Sequence, residues 1–126
     1  MTSKALKFIS DSLASIGIRY SFMEWKSIPA YPYFVGEYQE TEPMNEDGMH
    51  EASFILTGFS KNSWLKLEEA KEAIERLFNT TTGKTAIFED GSGIGVFYTN
   101  SFPVREENAA IKRIQINLSV KEWRVN

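Results

Sequence analysis

Gly83-Lys84-Thr85 is the phrase of this sequence closest to phosphate chemistry, because backbone amides and a lysine at a helix N-terminus can neutralise a phosphate. A phosphate-cradling loop of that kind needs a glycine where this chain has Phe78, and its order is strand, loop, helix. Here the order reads helix, loop, strand, so a plain turn is the reading. Gly91, Gly93 and Gly95 resemble a dinucleotide fingerprint, but the third glycine comes one residue early and a strand follows it. They read as a hairpin turn that needs positive φ. Asn45-Glu46-Asp47-Gly48 has the composition of a calcium loop. Placing Gly48 at the sixth position, however, puts Pro43 at the first and Phe54 at the twelfth, where carboxylates must sit.

The single histidine, His50, leaves only one possible base for a nucleophile triad and no histidine cluster for a metal. With no cysteine in the chain, thiolate nucleophiles, disulfides and Cys-based zinc sites are excluded. The pairs Glu68/Glu72 and Glu69/Glu72 fall on the side of a helix opposite its apolar stripe, where solvated charges belong. General acid and base work needs a cleft that shifts pKa values, and none is legible. No catalytic, metal or cofactor-binding residue is therefore assigned, and the sequence reads as a non-enzyme.

The elements that would position any site follow from periodicity. Leu6, Ile9, Leu13 and Ile16 recur at helical spacing from Ser3 to Ile16, with Ser3 as cap and Gly17 as the left-handed stop. Ile18 to Trp25 reads as a strand, and Ser27 to Pro32, with Pro29 and Pro32, as an irregular connection. Tyr33 to Glu40 and His50 to Phe59 read as the arms of a hairpin around Thr41 to Met49, whose carboxylates make an acidic, solvated and mobile tip.

Ser63 to Phe78 is a second helix, capped by Asn62 or Ser63, with Leu67, Ala70, Ile74, Leu77 and Phe78 on one face and a Glu72/Arg76 pair on the other. Thr85 to Phe88 and Gly95 to Thr99 form a second hairpin. Arg113 to Trp123 alternates Ile114, Ile116, Leu118 and Val120 with polar residues, the pattern of a half-buried strand. The order α-β-β-β-α-β-β-β predicts one α+β domain over residues 1–126, its two helices packed on one face of a mostly antiparallel sheet.

Composition agrees with one folded domain, at 42% hydrophobic, 25% charged and 13% aromatic residues. A net charge of -3 and no block of like charges disfavour nucleic acid and anionic membranes as partners. No segment has the length of a signal peptide core or a membrane helix. The product is expected in the cytoplasm where it is made, unless it leaves within a particle.

Aromatic residues concentrate in Tyr31-Pro32-Tyr33-Phe34-Val35-Gly36-Glu37-Tyr38, with Trp25 before it and Phe59 and Trp64 near the second helix. They serve either as core or, in part, as a subunit contact. That run, the tip Glu46-Asp47-Gly48, the strand Phe54-Ile55-Leu56-Thr57-Gly58-Phe59 and the helix start Trp64-Leu65-Lys66-Leu67-Glu68 resemble small tail-region proteins of phages and prophages of Gram-positive bacteria. The element order is similar to that of tail terminator and tail-to-head joining proteins.

The resemblance implies a structural protein that forms a ring, commonly sixfold, at the head-proximal end of the tail, where it stops tube growth and docks the head connector. Its implied partners are itself, as a ring whose subunits can be monomeric before assembly, the tail tube protein and the head completion or connector protein; it implies no cofactor. Its implied places are the host cytoplasm during assembly and then the virion tail. Ring closure needs two different complementary patches on each subunit. Tyr31, Tyr33, Phe34, Tyr38 and Trp64 are the expected interface residues, and the tip residues Glu42, Met44, Glu46, Asp47 and Met49 the expected docking hairpin. Competing expectations are a small-ligand-binding module, an enzyme whose carboxylates converge only in space, and a tube or other connector subunit.

Overall fold

The computed structural model describes residues 1–25, 30–41 and 48–125. The expected tip residues Glu42, Met44, Glu46 and Asp47, and the first half of the Ser27 to Pro32 connection, residues 27–29, lie outside the described residues. The chain runs α1 (Ser3–Ser15), β1 (Tyr20–Phe22), β2 (Tyr33–Glu40), β3 (Met49–Lys61), α2 (Trp64–Leu77), β4 (Lys84–Ile87), β5 (Gly93–Val104) and β6 (Ile111–Trp123).

The expected α+β class and element order are present, but the strands form one continuous sheet rather than two groups of three. Its spatial order is β1-β2-β3-β6-β5-β4. The sheet is also mixed: β1 pairs parallel to β2, and every other ladder is antiparallel. The two hairpins, β2–β3 and β4–β5, are joined through β6, which fills the centre between β3 and β5. A strand paired on both sides in the middle of a sheet needs the strictest in-and-out alternation, which β6 has.

Both helices cover the face that carries Ala52, Phe54 and Leu56 of β3 and Ile114, Ile116, Leu118 and Val120 of β6. Ile9 and Leu13 of α1 and Leu67, Ile74 and Phe78 beyond them join these in a single buried cluster. Side chains of β2 divide by alternation, Phe34 and Gly36 facing the helices and Tyr33 and Val35 the opposite face. The aromatic ring of Phe34 lies over Gly58, directly opposite it in the ladder, where a built Cβ would stand 2.7 Å from Phe34 Cζ. A Cβ on Gly36 would meet Tyr20 Cε1 at 2.6 Å and Phe54 Cζ at 2.7 Å. Two glycines thus make room for three rings in one layer.

Local departures from the sequence expectations have local causes. Thr2, not Ser3, caps α1, its side-chain oxygen accepting from Ala5 N at 3.2 Å. Ser63 caps α2 as expected, accepting from Lys66 N at 3.2 Å. Ion pairs on α2 run from Lys71 to Glu68 at 3.6 Å and Glu75 at 3.8 Å, in place of the expected Glu72/Arg76 pair. The strand expected over Ile18 to Trp25 keeps only three residues, because Met23 turns to φ 68° and Ser21 Oγ donates to Glu24 O at 2.6 Å.

β5 runs well past Thr99 through a bulge between Tyr98 and Asn100. Pro103 is tolerated there because β4 pairs only with residues 93–96, so the proline's missing N–H falls on an open edge. Met49, expected in the mobile tip, is instead the first residue of β3, opposite Trp123.

Tyr20 packs beside Phe54, with ring centroids 6.3 Å apart, and burial pushes its hydroxyl from the ordinary 10 up to about 12. A pKa raised on folding contributes stability that is intact below the unfolded pKa and lost as pH rises through the folded one. Thermal denaturation is therefore expected to show falling stability from about pH 10 to pH 12, and a Tyr20→Phe variant is expected to flatten that slope. An unchanged slope in the variant would assign the alkaline loss to other groups.

Candidate functional site

Both helices leave the opposite face of the sheet uncovered, and register dictates what that face displays. Across its lower rows Tyr33 stands opposite Phe59, Phe59 opposite Arg113 and Arg113 opposite Val104; one row on are Val35, Thr57, Gln115 and Phe102. Tyr33 and Phe59 stack at 5.0 Å with 21° between their planes. Trp25 meets Tyr33 edge-on at 5.5 Å, and Tyr31 lies tilted at 5.5 Å from the same ring. Four aromatic side chains from the β1–β2 connection, β2 and β3 thereby form one cluster on this face.

Desolvation by that cluster, reinforced by neighbouring Tyr31, raises the Tyr33 hydroxyl above the ordinary tyrosine value. Trp25 Nε1 is shielded from solvent with no hydrogen-bond acceptor among the described residues. Beside Phe59, the Arg113 guanidinium lies 2.9 Å from Glu106.

The middle rows set a hydrogen-bonded polar ladder beside the apolar Ile55 and Phe97. Gln115 Nε2 donates to Asn117 Oδ1 at 3.0 Å, and Asn117 Nδ2 donates to Asn100 Oδ1 at 2.7 Å. At the far end Trp123 and Ile87 are exposed again, Ile87 to 84%. An apolar aromatic block, a polar ladder and a second apolar corner suit protein contact, and a hollow of about 410 Å³ beside Phe97, Ser119 and Lys121 interrupts the face between them.

The five expected interface residues do not form one patch. Tyr31 and Tyr33 belong to the open-face cluster. Phe34, fully buried in the core, offers no surface to a neighbour, so the contact reading loses it. Tyr38 lies on the helix-bearing face at the sheet edge, stacked on Phe22 at 6.0 Å. Trp64 sits at the start of α2, with Lys112 Nζ 5.8 Å from its ring centroid.

The sequence reading left Trp25 and Phe59 out of the interface set. The signal for Phe59 was available: in β3 it alternates with the buried Leu56, Gly58 and Ser60, so an aromatic residue on the opposite phase had to face outward.

No protein-family model matches the chain, and no curated protein matches it. Among solved structures, one chain of the structure described as "Virion of native gene transfer agent (GTA) particle" superposes with a TM-score of 0.65 at 12% sequence identity, covering 88% of this chain and 83% of that one. A likeness at that identity shows a shared fold.

A second feature is a groove of about 820 Å³ between α1 and β4, which the sequence reading did not anticipate. Phe8 and Phe88 meet edge-on across it at 6.5 Å. Lys84 Nζ stands 5.8 Å from the Phe8 ring centroid, and Lys4 Nζ 6.0 Å from that of Phe88. Lys4 is held by Asp90 at 2.5 Å and Lys7 by Asp11 at 2.5 Å. Hydrogen bonds from Lys4 and Ser92 keep the Asp90 carboxyl well below the usual carboxylate range. Among the described residues no group of three or more metal-ligating side chains is present, and no helix is long and apolar enough to cross a membrane.

Proposed function

We propose that this chain is a structural subunit of a phage or prophage tail, a tail terminator that closes into a ring at the head-proximal end of the tail. The observation that carries the reading is the fold it shares, over 88% of its length, with a chain of a gene transfer agent virion. The open aromatic sheet face supports it, since a protein built to join copies of itself keeps apolar surface that a solitary domain would cover.

In this reading the chain performs no catalysis and needs no cofactor. Tyr31, Tyr33, Trp25 and Phe59 make one contact patch, and closure by rotation requires a second, different patch at the opposite edge. The tail tube protein on one side of the ring and the head completion or connector protein on the other are its partners. It works in the host cytoplasm during assembly and ends in the virion tail.

The test is to omit the chain from an otherwise complete tail-assembly system. The expected result is tails that grow past their normal length and stay unjoined to heads. Tails of normal length that join heads without it would overturn the role. A second reading, a small-ligand-binding module, is favoured only by the α1/β4 groove, whose size is that of a ligand pocket. A thermal shift on ligand screening, with no change in assembly, would support that alternative.

A further inference from the structure

We infer that the second contact patch is the open edge of β5 at residues 101–103, and that it pairs antiparallel with the outer edge of β1 in the next copy of this chain. The sheet then continues from one subunit into the next. The inference rests on the ring reading above.

Hydrogen-bond phase shows which backbone groups the two edges offer. Phe34 N donates to Arg19 O and Met23 N to Gly36 O, both at 2.8 Å, so the odd residues at β1 face β2. Tyr20 and Phe22, in the opposite phase, turn their backbone groups away from the sheet. On β5, Pro103 stands opposite Ile114 without an N–H to give it, so it occupies the phase that points away from β6, and Ser101 shares that phase. β4 pairs no further along β5 than Val96 and leaves this side uncovered. Among the described residues, the N–H groups of Tyr20, Phe22 and Ser101 and the carbonyls of Ser101 and Pro103 have no backbone partner.

Length and direction agree as well. β1 runs for three residues, and the bulge between Tyr98 and Asn100 at one end and Pro103 at the other confine the regular part of the β5 edge to a similar stretch. β1 runs parallel to β2, and the ladders from β2 through β3 and β6 to β5 are all antiparallel, so β5 runs opposite to β1. Setting Tyr20 opposite Pro103 and Phe22 opposite Ser101 lets Tyr20 N donate to Pro103 O, Phe22 N to Ser101 O and Ser101 N to Phe22 O. The proline forfeits only the reciprocal bond to Tyr20 O.

Side chains alternate large against small in the same register. On the helix-free face Phe102, 46% exposed in the single chain, comes opposite Ser21, beside Val35 and one row from the Tyr33 cluster. On the other face the exposed Phe22 comes opposite Ser101. The joint thus extends the aromatic patch already described, and its two edges are unlike, as a contact repeated by rotation requires.

Because the chain has no cysteine, an engineered disulfide reports the joint directly. Positions 21 and 102 would form a non-hydrogen-bonded antiparallel pair, with Cα atoms about 4.5 Å apart and within disulfide range. Under mild oxidation, a mixture of Ser21→Cys and Phe102→Cys chains is expected to give dimers that mass spectrometry shows to be linked between positions 21 and 102. The double variant Ser21→Cys/Phe102→Cys should give a ladder of linked species that ends at the ring. Ser101→Pro removes the last N–H of the β5 edge and should raise the concentration needed for assembly by more than about tenfold, whereas Ser101→Ala keeps that N–H and should assemble as wild type. Circular dichroism and melting temperature show that each variant folds.

In protein that still forms rings, absence of the linkage between positions 21 and 102, or assembly of Ser101→Pro at the wild-type concentration, would overturn the edge joint and leave the ring reading in place. A wild-type chain that stays monomeric throughout would remove the ring reading itself, and this joint with it.

Discussion

Phe34→Ala is expected to destabilise the isolated domain by about 3–5 kcal/mol, a large part of the 5–15 kcal/mol that holds a domain of this size together. Phe34 is fully buried, and its ring occupies the space that Gly58 leaves on the facing strand. Truncation removes the ring from a layer in which Gly36 and Gly58 carry no side chain to refill the void, so the cavity term adds to the lost transfer energy.

Gly58→Ala should be destabilising from the other side, since its methyl group would stand 2.7 Å from Phe34 Cζ in a core with nowhere for the ring to move. Urea unfolding of dilute protein measures both. A Phe34→Ala change below about 1 kcal/mol, with assembly lost, would mean that this ring serves a neighbour instead of the core.

Tyr33→Glu should behave in the opposite way, leaving the monomer folded and abolishing self-association. Its side chain lies on the helix-free face, half-buried among the rings of Trp25, Tyr31 and Phe59. Losing an exposed cross-strand aromatic pair costs the fold about 1 kcal/mol or less. An aromatic anchor at the centre of a contact contributes about 2 kcal/mol or more to association. The concentration for assembly should therefore rise at least about thirtyfold, and further where the new carboxylate is left desolvated. Tyr33→Phe, which keeps the ring, should assemble nearly as wild type. Assembly of Tyr33→Glu at the wild-type concentration would remove the open face from the contact.

Adjacent residues 33 and 34 thus have opposed roles, and this marks how far the sequence could be read. The run Tyr31 to Tyr38 was visible as an aromatic concentration, and strand alternation separates its odd from its even residues. Which phase faces the helices depends on β3 and β6, whose own patterns are unambiguous, and the pairing of β2 with β3 transfers their phase to β2. β6 and the stripe of α1 were legible because their periodicity runs for a dozen residues without a breaker.

β1 was not, because a positive φ at Met23 ends it where composition still favours a strand. The extent of β5 was not either, because Pro103 reads as a terminator unless the edge beside it is known to be open. The groove escaped for a different reason: Phe8 and Phe88 are far apart in the chain and meet only when α1 lies along the β4 edge. Phe8 did fall outside the expected Leu6, Ile9, Leu13 and Ile16 stripe, although it packs partly against the core beside the buried Ala5 and Ser12, and an aromatic residue off the expected stripe was the one available sign.

Sedimentation equilibrium on the purified chain, over a wide concentration range and with electron microscopy of the same samples, tests the central claim most directly. The account predicts a concentration-dependent shift from monomer to one closed species of fixed mass, seen as rings. A single monomeric mass at every concentration, or open filaments of unlimited length, would contradict it.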